Sequence, residues 1–157
     1  MITILFIGDV VGEPGRTAVK RMLPELKREH GADFIVNGEN AAAGRGITPR
    51  LAQELLHAGV DVITTGDHVW DQAELAPWME SEPRVLRPVN YPQGTPGHGS
   101  VVVETPKGKI AVMQVQGRSF IQPPLENPFL IGSGSQKTQG RKRRAGYLCG
   151  HARGNDQ

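Results

Sequence analysis

The sequence predicts an α/β fold in which parallel strands joined by helices carry an antiparallel hairpin as an annex. Short apolar runs alternate with segments of helical period from Thr3 to Met79, a pattern of parallel βαβ units. Three of those runs end at a glycine followed by a polar residue, at Gly8-Asp9, Gly38-Glu39 and Gly66-Asp67. After Pro83 the helical period stops, and a Pro/Gly-rich stretch leads into two strand-like runs that bracket Pro106-Lys107-Gly108.

Each element has its own signal. Thr3 to Ile7 is a continuous apolar run, read as a strand buried on both faces. Val19, Met22, Leu23 and Leu26 recur at helical spacing, so residues 16–29 predict a helix kinked at Pro24 and closed by Gly31. Phe34 to Asn37 is the second strand. Thr48 and Pro49 supply an N-cap and a first helical position, Leu51, Ala52, Leu55 and Leu56 an apolar face, and Gly59 a terminator. Val60 to Thr65 is the third strand. Asp71 and Glu74 stand at capping-box spacing ahead of Leu75, Trp78 and Met79, which predicts a short helix. Val85 to Arg87 reads as another strand, residues 88–99 as a loop, and residues 101–104 with 110–116 as the hairpin.

Composition narrows the function classes. The 157 residues suit one domain, and no apolar run nears the roughly 20 residues of a membrane helix. The apolar start lacks a basic leader segment, so a cytoplasmic location is expected. A single cysteine, Cys149, excludes an intramolecular disulfide and a cysteine-rich zinc site. Charge divides the chain: residues 1–130 hold 12 Lys+Arg against 15 Asp+Glu, and residues 131–157 hold 6 against 1. The expected organisation is therefore a domain over 1–130 and a basic Gly/Ser-rich tail over 131–157, disordered for lack of periodicity.

Ligands of parallel sheets bind beyond the carboxyl ends of the strands. There the sequence delivers Asp9, Glu39, Asn40, Asp67 and His68, a set of carboxylate, amide and imidazole donors without thiolate. Such donors suit Mn, Fe, Mg or Zn. Carboxylates crowded on one edge repel, and divalent cations remove that penalty. Each residue also has a plain structural reading. Asp9 can cap the next turn, Glu39-Asn40 can serve loop hydrogen bonds, and Asp67 can orient His68. The glycines at 8, 12 and 15 form no dinucleotide or P-loop signature. Arg118 reads as solvated, His30 and His57 as helix-end surface residues, and His98 as loop surface.

Six strings in order complete the picture: Phe6-Ile7-Gly8-Asp9-Val10-Val11-Gly12, Asn37-Gly38-Glu39-Asn40-Ala41-Ala42, Gly66-Asp67-His68-Val69-Trp70-Asp71, Arg87-Pro88-Val89-Asn90-Tyr91-Pro92, Gly94-Thr95-Pro96-Gly97 and Gln116-Gly117-Arg118. Over residues 1–130 they resemble the YmdB-like family of calcineurin-type metallophosphoesterases. The resemblance implies a partial metallophosphoesterase-type sandwich. It implies two divalent metal ions held by Asp9, Glu39, Asn40 and Asp67, His68 as proton donor, and hydrolysis of a phosphodiester such as a cyclic nucleotide. The family has Asn where this chain has Asp67, and its later His-Ala-Glu and Gly-x-His-x-His segments have no counterpart here. We therefore expect a truncated and impaired phosphodiesterase. The last 27 residues are expected to be an out-of-frame reading of the next helix and strand, an expectation that the gene's nucleotide sequence tests. A competing expectation is a non-enzymatic nucleotide- or RNA-binding module that uses Arg141 to Arg144. A third is a fragment with exposed apolar edges.

Overall fold

The computed structural model describes residues 2–119, 125–131 and 146–152. Its elements run β1 (Ile4–Ile7), α1 (Gly12–His30), β2 (Asp33–Asn37), α2 (Pro49–His57), β3 (Val62–Thr64), a 3-10 turn (Asp67–Trp70), α3 (Leu75–Met79), β4 (Val85–Leu86), β5 (Ser100–Thr105), β6 (Gly108–Gln116) and β7 (Gly146–Ala152). Strands β1 to β4 form one parallel sheet in sequence order. Strands β5 and β6 pair antiparallel, and β7 joins β6 in parallel. The α/β architecture with an antiparallel annex is thus as the sequence predicts.

Alternation of side chains along the strands makes the molecule three layers deep. Phe34, Val36, Ile63 and Val85 face one way and pack with Val19 and Leu23 of α1 and Leu51 and Leu55 of α2. Ile35, Val62 and Leu86 face the other way and meet Ile110 and Val112 of β6, with Val101 and Val103 of β5 alongside. One sheet is therefore covered by helices on one face and by the second sheet on the other.

Local chemistry explains most boundaries. Gly31 ends α1 at φ 52° and donates its N–H to the Lys27 carbonyl, an αL cap that glycine adopts without a Cβ penalty. Thr48 accepts from the Leu51 N–H at 3.2 Å and Pro49 opens α2.

Three expectations need correction. Helix α1 starts at Gly12 rather than residue 16, because Glu13 and Pro14 suit a first helical turn. Strand β1 is half-buried and Phe6 is 45% exposed, because β1 is an edge strand. The capping box before α3 does not form: Glu74 is the N-cap, it makes no side-chain cap bond, and Asp71 is engaged elsewhere. Of the tail over 131–157, residues 146–152 form strand β7, which pairs with β6 in a full register from Ile110 to Gln116. The rest of that tail, including Arg141 to Arg144, lies outside the described residues. Among the described residues no helix is long and apolar enough to cross a membrane.

Candidate functional site

The carboxyl ends of β1, β2 and β3 are stitched into one edge by backbone hydrogen bonds. Val10 N donates to Asn37 O at 3.0 Å, Gly12 N to Asn40 O at 3.0 Å and Gly38 N to Thr64 O at 2.9 Å. The three polar strand ends expected to share an edge therefore do so. Asp9 adopts φ 43°, a left-handed conformation that aspartate tolerates better than most residues. At Gly38 glycine is sterically required, because a Cβ would stand 2.9 Å from Ile63 Cγ2. At Gly8 the nearest atom would be 3.8 Å away, an ordinary contact, so tight packing is not what places glycine there.

Side chains then divide between buried and accessible positions. Glu39 and Asn40 are each 8% exposed, Asp67 and His68 are half-buried, and Asp9 is exposed. Asn40 Nδ2 donates to Asp9 Oδ1 at 2.6 Å. His68 Nδ1 lies 2.8 Å from Asp71 Oδ2, so Asp71 and not Asp67 is the carboxylate that orients the imidazole. Glu39 Oε2 is buried with no hydrogen-bond partner. Burial pushes the Glu39 carboxyl up to about 7; Asp67 and Asp9 push in the same direction, while His68 and Asn37 oppose. Asp67, His68 and Asp9 thus each lie within electrostatic reach of Glu39. Among the described residues no group of three or more His, Cys, Asp or Glu forms a cluster that could hold a metal ion. Asp9 is turned to the Asn40 amide and His68 to Asp71, which relieves part of the repulsion in another way.

Sequence reasoning missed three participants. Arg45 Nε donates to the same Asp71 Oδ2 at 2.9 Å, and Gln72 Nε2 donates to the Arg45 carbonyl at 2.9 Å. Arg16, from the first turns of α1, donates to the Ala41 carbonyl beside Asn40. No local pattern marks these contacts, because they join segments about 25 residues apart. The Arg87-Pro88-Val89-Asn90-Tyr91-Pro92 string acts as a buttress: the Tyr91 ring meets Trp70 edge-on at 5.6 Å, bracing the turn that carries Asp67 and His68. Arg118 is exposed, and His98 Nε2 lies 3.4 Å from the Glu80 carbonyl.

The chain is 48% identical over 128 residues to a 2′,3′-cyclic-nucleotide 2′-phosphodiesterase of Bacillus subtilis (strain 168), an alignment covering 81% of this chain and 48% of that protein. A crystal structure of a novel phosphatase from Mycoplasma pneumoniae superposes with a TM-score of 0.84 at 31% identity, covering 97% of this chain and 56% of that one. A crystal structure described as a hypothetical protein from Thermus thermophilus does so with a TM-score of 0.80 at 38% identity, covering 96% of this chain and 58% of that one. The chain spans about half the length of the curated relatives it matches. Residues 5–146 match the profile described as YmdB-like protein, and the chain belongs to that family.

Proposed function

We propose that this chain carries the front half of a metal-dependent phosphodiesterase site that acts on a cyclic nucleotide or a related phosphodiester. The observation that carries the reading is Glu39, a buried carboxylate whose Oε2 has no hydrogen-bond partner and whose proton affinity is raised beside Asp67 and Asp9. A divalent cation is the partner such an oxygen lacks, and the all-oxygen set of Asp9, Glu39, Asn40 and Asp67 fits hard or borderline ions such as Mg, Mn, Fe or Zn. These four residues, which form no ready-made cluster among the described residues, would hold two such ions. When bound, the ions polarise the phosphoryl group and acidify water.

The remaining roles belong to the protein. Asp71 holds the His68 ring at Nδ1, which leaves Nε2 to carry a proton to the leaving oxygen. Asn40 holds the Asp9 carboxylate, and the Gly38 turn brings Glu39 in from β2. Asp67 adds a negative charge where the family motif has an amide, which favours tighter divalent binding.

The phosphodiesterase and phosphatase names of the relatives favour this activity, and this chain covers 48% of each of those relatives. We infer that the segment they add completes the site, so the 157-residue chain binds metal weakly and turns over little. The test compares bis-p-nitrophenyl phosphate hydrolysis with Mn²⁺ in this chain and in a version extended to the relatives' length. Low turnover here and metal-dependent turnover in the extended chain, abolished by Glu39→Gln, is the expected outcome. Robust turnover by the 157-residue chain overturns the inferred impairment, and an inert extended chain overturns the phosphodiesterase reading.

A further inference from the structure

Arg45 occupies a position that the reaction sketched above does not use. It lies at the tip of a tight loop closed by Ala42 N to Gly46 O at 2.8 Å and Arg45 N to Ala42 O at 3.1 Å, with Ala43, Gly44 and Gly46 all at positive φ. That loop follows directly from Glu39 and Asn40 and is pressed onto the turn carrying His68. A Cβ on Gly46 would stand 2.9 Å from Gln72 Cγ and 3.1 Å from the His68 carbonyl. Gln72 grips the Arg45 carbonyl and Asp71 grips its Nε. Arg45, Asp71 and Gln72 line an open pocket of about 370 Å3.

A guanidinium has five N–H donors in a rigid fork. Among the described residues Nε is the donor engaged, and the Arg45 side chain is 72% exposed. With Nε fixed on Asp71 and the side chain lining the pocket, the terminal nitrogens are the donors left for a ligand, an arrangement suited to bidentate binding of a phosphate. Because one oxygen of Asp71 binds both Arg45 Nε and His68 Nδ1, the guanidinium stands beside the imidazole that the proposed reaction uses as proton donor.

We propose that Arg45 is a specificity-determining residue that binds a second phosphate on the leaving-group side, so that the site prefers a ribonucleotide carrying two phosphates over one carrying only the phosphate at the reacting centre. This assignment rests on the proposed phosphodiesterase site and adds the class of substrate it selects.

Product-like ligands test it without turnover. Calorimetric titration of the 157-residue chain in Mn²⁺ buffer at fixed ionic strength compares adenosine 3′,5′-bisphosphate with adenosine 3′-monophosphate. The bisphosphate is expected to bind about tenfold tighter, the size of one charge-assisted phosphate contact at a partly exposed site. Arg45→Gln should abolish that ratio while leaving monophosphate affinity within about twofold. Arg45→Lys, which keeps the charge but not the grip of Asp71, should lose most of it. Equal binding of the two ligands by the unmodified chain, or a preference that survives Arg45→Gln, overturns the assignment and leaves the phosphodiesterase reading standing. Full retention by Arg45→Lys overturns the part given to the held guanidinium. Failure of the unmodified chain to bind the bisphosphate likewise overturns the assignment, whereas the phosphodiesterase reading is judged by the turnover of the extended chain.

Discussion

Glu39 is the residue at which burial and function conflict most directly. Its carboxyl titrates at about 7 in the fold against an ordinary 4.5, so the folded state takes up a proton that the unfolded chain releases between those values. The stability tied to that proton is fully present below pH 4.5 and is lost as pH rises through about 7. In chelator-treated protein, Glu39→Gln should therefore raise stability at pH 8 by about 1–3 kcal/mol and leave it nearly unchanged at pH 4. Urea midpoints at the two pH values read this directly, and a stabilisation of equal size at both would show that the Glu39 charge is not its source. Asp9, Glu39, Asn40, Asp67 and His68 were legible in the sequence because each follows a strand through a turn. Asp71 was misread. Its spacing to Glu74 imitates a capping box, and the partners it takes instead, His68 and Arg45, include one 26 residues away.

At the scale of elements, caps and glycines make the strongest commitments. Thr48 caps α2 through Leu51 N, so Thr48→Ala should cost about 1 kcal/mol, measurable as a lower denaturant midpoint with an unchanged slope. Gly99 carries a heavier constraint, because a Cβ there would lie 2.5 Å from Val89 Cα, which is backbone and cannot rotate away. Gly99→Ala should destabilise by about 2 kcal/mol or more, and a loss below about 0.5 kcal/mol would mean the loop shifts freely. The helices and strands were readable from period and punctuation. Strand β7 was not, since its partner is the edge of β6 and its own composition carries no alternation. The exposure of Phe6 was hidden likewise, because an apolar run does not state whether its strand will be central or at an edge.

Across the whole molecule, one buried side chain fastens the loop between the sheets. Asn90 is fully buried; its Nδ2 donates to the carbonyls of Gln116 at 2.9 Å and Glu126 at 3.1 Å, and its Oδ1 accepts from Gln116 N at 3.1 Å. Asn90→Ala takes that partner from the buried N–H and carbonyl of Gln116 and should cost about 2–4 kcal/mol. Because Tyr91 follows Asn90 and braces Trp70, the same variant should also alter tryptophan fluorescence near the site, whereas an unchanged spectrum would place the two effects apart. The alternation of strands and helices, the αL glycine after α1 and the delivery of acidic, amide and imidazole donors to one sheet edge were determined by sequence alone, because period and turn chemistry are local properties. Which donors face one another, which carboxylate holds His68, how far Glu39 is desolvated and where β7 pairs were decided by the tertiary structure. Those outcomes depend on distance, dielectric and free backbone edges, which exist only once distant segments have packed together.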